Sequence, residues 1–169
     1  MTNKKEVVET IKKTLDELTS VSGIHFNGEN AVKLMIMTSA HESLLFEHKI
    51  QIGGGPARGI FQMEPPTYYD TWKNVINIRP KLKNALKKMN VRMNSSNLMD
   101  DRHATIIGRI QYYRFSEAIP DANDLWSLAA YAKKYWNTQK GKATVNDYYV
   151  AYKKLMDIIN QDSHKNTTS

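Results

Sequence analysis

The stretch AVKLMIMTSAHESLLFE, residues 31–47, decides how the rest of the chain is read. Through Met37 its side chains are apolar around most of a helical circumference, with Lys33 the only charge. A helix apolar on nearly every side belongs in the middle of a domain, with other helices packed around it. The apolar run resumes at Leu44, Leu45 and Phe46, and the pattern predicts a helix from Ala31 to about Glu47. His41, Glu42 and Ser43 interrupt it. A buried polar group costs on the order of several kcal/mol unless it is paired, so a carboxylate at this place needs a chemical reason.

Upstream, Val7 or Val8, Ile11, Leu15 and Leu18 recur at helical spacing and predict a helix over residues 4–18. Gly23 and Gly28 break the connection that follows, and Asn27 or Asn30 suits a helix cap. Downstream, Gly53-Gly54-Gly55-Pro56 suits neither a helix nor a central strand, which leaves an irregular loop or a short hairpin. Further helices are predicted from Pro66 or Thr67 toward Val75, over Pro80–Met89, from Leu98 or Asp100 to about Phe115, from Leu125 to about Trp136, and over Val145–Ile159. The expectation is an all-α or mainly α single domain over residues 1–160, with at most a minor β-hairpin. Residues 161–169 are expected to form a polar, flexible tail.

The composition suits one such domain. The chain has 169 residues, 41% of them apolar and 24% charged. It has no cysteine, which excludes disulfides, thiolate metal sites and a cysteine nucleophile. The opening Met-Thr-Asn-Lys-Lys-Glu lacks the apolar segment of a signal peptide, and no apolar run is long enough for stable membrane insertion. A net charge of +7 attracts polyanions: nucleic acid, anionic membrane or bacterial wall polymers. The basic run Arg79, Lys81, Lys83, Lys87, Lys88 and Arg92 carries no specific nucleic-acid motif and reads as a solvated helix face. No metal is expected: Leu45, four places after His41, breaks the pattern of a zinc-binding helix. The glycine run lacks the Lys-Ser or Lys-Thr of a phosphate loop, and no cofactor is implied. Oligomeric state is not written in the residues.

Among apolar neighbours a carboxyl group keeps its proton to higher pH and can serve as a general acid. Gln62 offers a donor and an acceptor to a sugar. Glu42-Ser43, followed by Ala57-Arg58-Gly59-Ile60-Phe61-Gln62-Met63 with Gln62 twenty positions after Glu42, resembles the soluble lytic transglycosylase and goose-type lysozyme superfamily. Ala130-Tyr131 is similar to part of that family's Ala-Tyr-Asn motif, with Ala132 where the asparagine stands; Asn137 is displaced from that place. The resemblance covers residues 31–137 and implies a lysozyme-like fold. It further implies cleavage of the β-1,4 bond between N-acetylmuramic acid and N-acetylglucosamine in peptidoglycan.

On that resemblance Glu42 is the general acid and then the base. Gln62 then lines the sugar cleft, Gly59 shapes its wall, and Tyr131 touches substrate or orients Glu42. Two further candidate substrate residues come from their chemistry: Ser43, which could also bond a local backbone carbonyl or orient nearby groups, and Arg58, which suits the peptide carboxylates or acyl groups of the wall or a packing salt bridge. Forming a 1,6-anhydromuramyl end needs no second carboxylate. Glu64 is the candidate second carboxylate for a hydrolytic lysozyme, and its plainer role is to cap the next helix. The short chain resembles compact phage-encoded members, acting at the bacterial wall as endolysins or from the virion among virion proteins. A noncatalytic wall-binding or virion structural domain is the alternative if Glu42 is merely a buried, paired carboxylate.

Overall fold

A helix with no polar face must be surrounded, and in the computed structural model, which describes residues 2–167, it is. Helix α2 (Glu29–Glu42) is touched by α1 (Lys4–Ser22), α5 (Asp101–Tyr113), α6 (Leu125–Ala132) and α7 (Val145–Thr167). Every residue from Leu34 to Ala40 is buried. Helix α4 (Pro80–Lys88) packs on α1, and α3 (Pro65–Thr71) packs on α5. The result is a single mainly α domain. Among the described residues its only β pairing is two isolated antiparallel bridges, Ile50 with Arg58 and Arg58 with Met63. No described helix is long and apolar enough to cross a membrane.

Local chemistry explains where most elements begin. The Asn3 side chain accepts the Glu6 N–H at 3.1 Å and opens α1. Asp100 accepts the His103 N–H at 2.8 Å and opens α5, and Asp124 does the same for Ser127 at 3.0 Å before α6. Prolines start α3 and α4, where a missing N–H leaves nothing unpaired. Helix α2 begins after Gly28 with no side-chain cap, so neither asparagine closes it in the usual way. In the centre, polar groups are paired: the Thr38 and Tyr112 hydroxyls meet at 2.8 Å, and Arg109 donates to the Phe26 carbonyl at 2.9 Å.

Several element ends differ from the pattern reading, and α1 runs on to Ser22. Helix α2 stops at Glu42 rather than near Glu47, because Leu44, Leu45 and Phe46 take positive φ of 50°, 59° and 71°. The helices α3 and α6 each run on into a wide π-type turn, Trp72–Ile76 and Lys133–Asn137. Helix α7 continues past Ile159 to Thr167, so residues 161–167 of the expected polar tail are helical; residues 168–169 lie outside those described. The reason is that extending a docked helix adds one hydrogen bond per residue, whereas starting one is costly. Leu155 and Ile159 anchor α7 in the core, and Ser163 Oγ donates back to the Ile159 carbonyl at 3.0 Å.

Downstream of the glycine run, Gly59 lies against the short 3-10 segment Ser95–Met99. Gly59 has φ +79°, and a Cβ there would stand 2.0 Å from the Leu98 carbonyl oxygen. Gly59→Ala is therefore expected to lower stability by about 3 kcal/mol, since it adds both a backbone penalty and an overlap with main chain. Urea unfolding should show this as a lower midpoint with an unchanged slope.

Candidate active site

Glu42 is the last residue of α2, and the chain turns left-handed directly after it. Three successive non-glycine residues at positive φ are strained, and such strain persists only where the surroundings fix it. Ser43 supplies much of that fixing. Its hydroxyl donates to the Ser39 carbonyl at 2.6 Å and accepts the Phe46 N–H at 2.9 Å. Ser43 is 0% exposed and both sides of its hydroxyl serve the backbone, so of its two expected roles the structure shows the local backbone bond and not the substrate contact.

The Glu42 carboxylate accepts a hydrogen bond from the Tyr148 hydroxyl of α7 at 3.1 Å. Burial raises its pKa to about 7, and the Tyr148 bond opposes that rise. Burial and the neighbouring Glu42 charge push the Tyr148 phenol far above its ordinary range, so it remains a donor. The His41 ring packs 4.3 Å from Tyr148. Burial lowers the His41 pKa, with Asp147 acting against it. Near neutral pH Glu42 is thus a carboxylic acid at the point of gaining or losing its proton, the state required of a general acid that later becomes a base.

Two cavities, of about 250 and 480 Å³, meet around this group and share Glu42, Gln62, Glu64 and Asn137 in their walls. Gln62 sits at φ 47° with its amide Nε2 donating to the carbonyls of Lys49 at 3.0 Å and Gly59 at 2.9 Å. Its donor is therefore occupied, and the Oε1 acceptor remains for the cavity. Glu64 precedes α3 without a side-chain capping bond, and its exposed carboxylate has no hydrogen-bond or ion-pair partner among the described residues.

The other expected residues lie behind the walls. Arg58 Nη1 donates to the loop carbonyls of Gly55 at 2.7 Å and Ala57 at 2.8 Å and lines neither cavity, so it braces the loop instead of meeting wall carboxylates. Gly59 lets the Leu98 carbonyl approach from the opposite side. Tyr131 neither lines these cavities nor orients Glu42: its hydroxyl donates to the Glu117 carbonyl at 2.9 Å, and its ring packs on Tyr112 and Tyr135. Helix α6 turns that face away, and Tyr148 takes the orienting place. Sequence reading missed Tyr148 and Gln111 and passed over Asn137 as displaced; Tyr135 and Trp136, aromatic residues that suit either sugar stacking or core packing, line the smaller cavity. The aromatic pair followed by asparagine, Tyr135-Trp136-Asn137, was the available signal; nothing local marks Tyr148 or Gln111. Among the described residues no group of three or more histidine, aspartate or glutamate side chains is placed to hold a metal ion.

Two outcomes test this geometry. Tyr148→Phe removes a donor that favours the ionised carboxylate, so the Glu42 pKa should rise further, read by carboxyl-carbon NMR titration. The folded protein keeps the Glu42 proton to about pH 7, against 4.5 for a free glutamate, so the folded state binds more protons within that window. Stability contributed at this position therefore falls as pH rises through it. Relative to the native chain, Glu42→Gln should gain on the order of 2 kcal/mol of unfolding free energy between about pH 4 and pH 8.

No protein-family model, curated protein or solved structure matches this chain.

Proposed function

We propose that the protein cleaves the β-1,4 glycosidic bond between N-acetylmuramic acid and N-acetylglucosamine in bacterial peptidoglycan, within a lysozyme-like fold. The observation that carries this reading is the Glu42 carboxyl: buried, raised to about 7, bonded to Tyr148 and opening on a cleft walled by Gln62 and Asn137. The likeness of Glu42-Ser43 and Gly59–Met63 to the lytic transglycosylase and goose-type lysozyme motifs supplies the substrate class.

In the mechanism, Glu42 gives its proton to the glycosidic oxygen as the bond from that oxygen to C1 breaks. Positive charge develops at C1 and the ring oxygen. The Glu42 carboxylate, now ionised, takes the proton from the muramyl 6-hydroxyl as that oxygen bonds to C1. The product is a 1,6-anhydromuramyl end, and Glu42 is again protonated. Tyr148 keeps the carboxyl aimed through both steps and stabilises its charged form between them.

A hydrolytic second reading has one specific observation in its favour. Glu64 shares both cavities with Glu42 and its carboxylate has no partner among the described residues, so it is available to activate water. In either case the enzyme works at the bacterial wall, as an endolysin or a virion-borne enzyme, with virion proteins as partners in the second case.

Purified sacculi and mass analysis of the released fragments test the proposal. Glu42→Gln should lower the rate of turbidity loss by at least about a thousandfold while the fold persists; unchanged activity would sink the mechanism. Anhydro ends that persist in Glu64→Gln support the intramolecular route. Reducing ends that disappear with Glu64→Gln assign hydrolysis instead. The native rate should fall above about pH 7 as Glu42 loses its proton.

A further inference from the structure

Between Asp70 and Asp100 the chain holds seven lysine and arginine residues and no acidic one. Those seven equal the formal net charge of the whole chain, +7, so elsewhere the 17 acids are matched one for one by cations. The segment runs from the π-type turn Trp72–Ile76 through α4 to the 3-10 segment before α5. All of the seven but Arg79 are exposed. Among the described residues none of them has an ion-pair partner. The acids bordering the segment are committed elsewhere: Asp70 to Arg114, Asp100 to the first turn of α5, and Asp101 to Lys49 at 3.0 Å. Glu17 of α1, the helix on which α4 packs, is paired with Arg102 at 2.6 Å. Cations gathered this way, with no counter-charge of their own, attract a polyanion, and each phosphate they meet releases a counterion.

Three of these cations, Lys83, Lys87 and Arg92, stand together at a surface groove of about 360 Å³. The rest of its wall is neutral: Trp72, Asn84, Val91 and Met93. Lys83 and Lys87 are one helical turn apart, about 6 Å along the axis. This lining selects among polyanions. A nucleic-acid duplex is too broad to enter so small a groove. Single strands are held by bases stacked on open aromatic faces, and the one aromatic ring here, Trp72, is 6% exposed. An anionic bilayer is held by apolar side chains that enter it beside the charges. Helix α4 instead keeps Leu82, Ala85 and Leu86 in the core, and of the apolar residues lining the groove Met93 alone is exposed. A flexible phosphodiester chain without bases needs none of these features. It needs spaced cations and a narrow neutral floor.

We infer that this groove binds a flexible polyol-phosphate polymer of the bacterial wall, with Lys83, Lys87 and Arg92 on its phosphates. The choice of a wall polymer rests on the reading of Glu42 as a wall-cleaving acid; the charge argument stands apart from it. Successive phosphates accept from the two ammonium groups and from the Arg92 guanidinium. The carbon links between them lie on Val91 and Met93. None of the three cations lines either cavity beside Glu42. The polymer therefore holds the protein on the wall and leaves the cleft free for the glycan.

The test is calorimetric titration of the full-length protein with purified poly(glycerol phosphate) at about 0.1 M salt. One variant combines Lys83→Gln, Lys87→Gln and Arg92→Gln. A control variant combines Lys5→Gln, Lys12→Gln and Lys13→Gln, exposed positions of α1 interspersed with acids, so both lose three charges. The groove variant should bind at least about tenfold more weakly and with a flatter dependence on salt, while the control stays within about twofold of the native chain. Circular dichroism should be unchanged in both, since all six side chains are exposed. Equal losses in the two variants would reduce the effect to net charge and overturn the inference. So would an absence of binding, or tighter binding per phosphate to a DNA duplex, to oligothymidylate or to phosphatidylglycerol vesicles. A chain that binds the polymer but leaves sacculi intact refutes the Glu42 proposal alone. One that cleaves sacculi without binding the polymer refutes this inference alone.

Discussion

The Ser43 hydroxyl lies out of reach of water, donating to the Ser39 carbonyl and accepting the Phe46 N–H. Around it the backbone changes hand. Left-handed backbone costs roughly 1–2 kcal/mol per non-glycine residue, and here three come in sequence. Several contacts offset that cost. The Leu45 N–H reaches the Ala40 carbonyl at 2.8 Å, His48 N–H reaches the Ser43 carbonyl at 2.9 Å, and Lys4 Nζ from α1 donates to the Leu45 carbonyl at 2.6 Å. Phe46 is carried into the core. The turn ends the central helix at Glu42 and sends the chain toward the glycine loop. The Lys49 carbonyl then receives both the Gly59 N–H and the Gln62 amide. The candidate acid and the candidate sugar ligand thus depend on the same local event.

Charge around the cleft is arranged in layers. Glu42 and Glu64 line it, while Arg114 and Lys133 stand behind the neutral amides of Gln111 and Asn137. An amide whose oxygen is held by a cation is polarised, and its N–H becomes a stronger donor. The cleft gains directional donors without a positive charge next to Glu42, which would stabilise the carboxylate and lower its pKa. Burial and the Tyr148 hydroxyl are left as the two opposing influences on that group.

How much of this the sequence discloses depends on whether the cause is local. The apolar circumference of residues 31–40 announces a central helix, and Glu42 stands out because it breaks that pattern. Proline starts and acidic caps can likewise be read in place. The left-handed turn could not: Leu44, Leu45 and Phe46 favour continuing the helix, and only tertiary packing with the Ser43 bonds reverses it. Tyr148 lies far along the chain on α7, and no local pattern joins it to Glu42. Asn137 reaches the cleft through a π-type turn, which its displacement from the motif position could not disclose. Arg58 and Tyr131 show the converse. Their residue types suit a sugar site, but partners in the fold already occupy their polar groups.

The bond between Glu42 and Tyr148 also imposes an order on biosynthesis. A nascent chain that has emerged only through α6 carries the carboxyl group but lacks the phenol and the α7 surface that exclude water from it. In that incomplete chain Glu42 is more solvated, and the burial that favours its neutral form is reduced. The proton-holding state arises only when the last helix docks on the second. The raised proton affinity of Glu42 is thus a property of the assembled fold and not of the second helix alone.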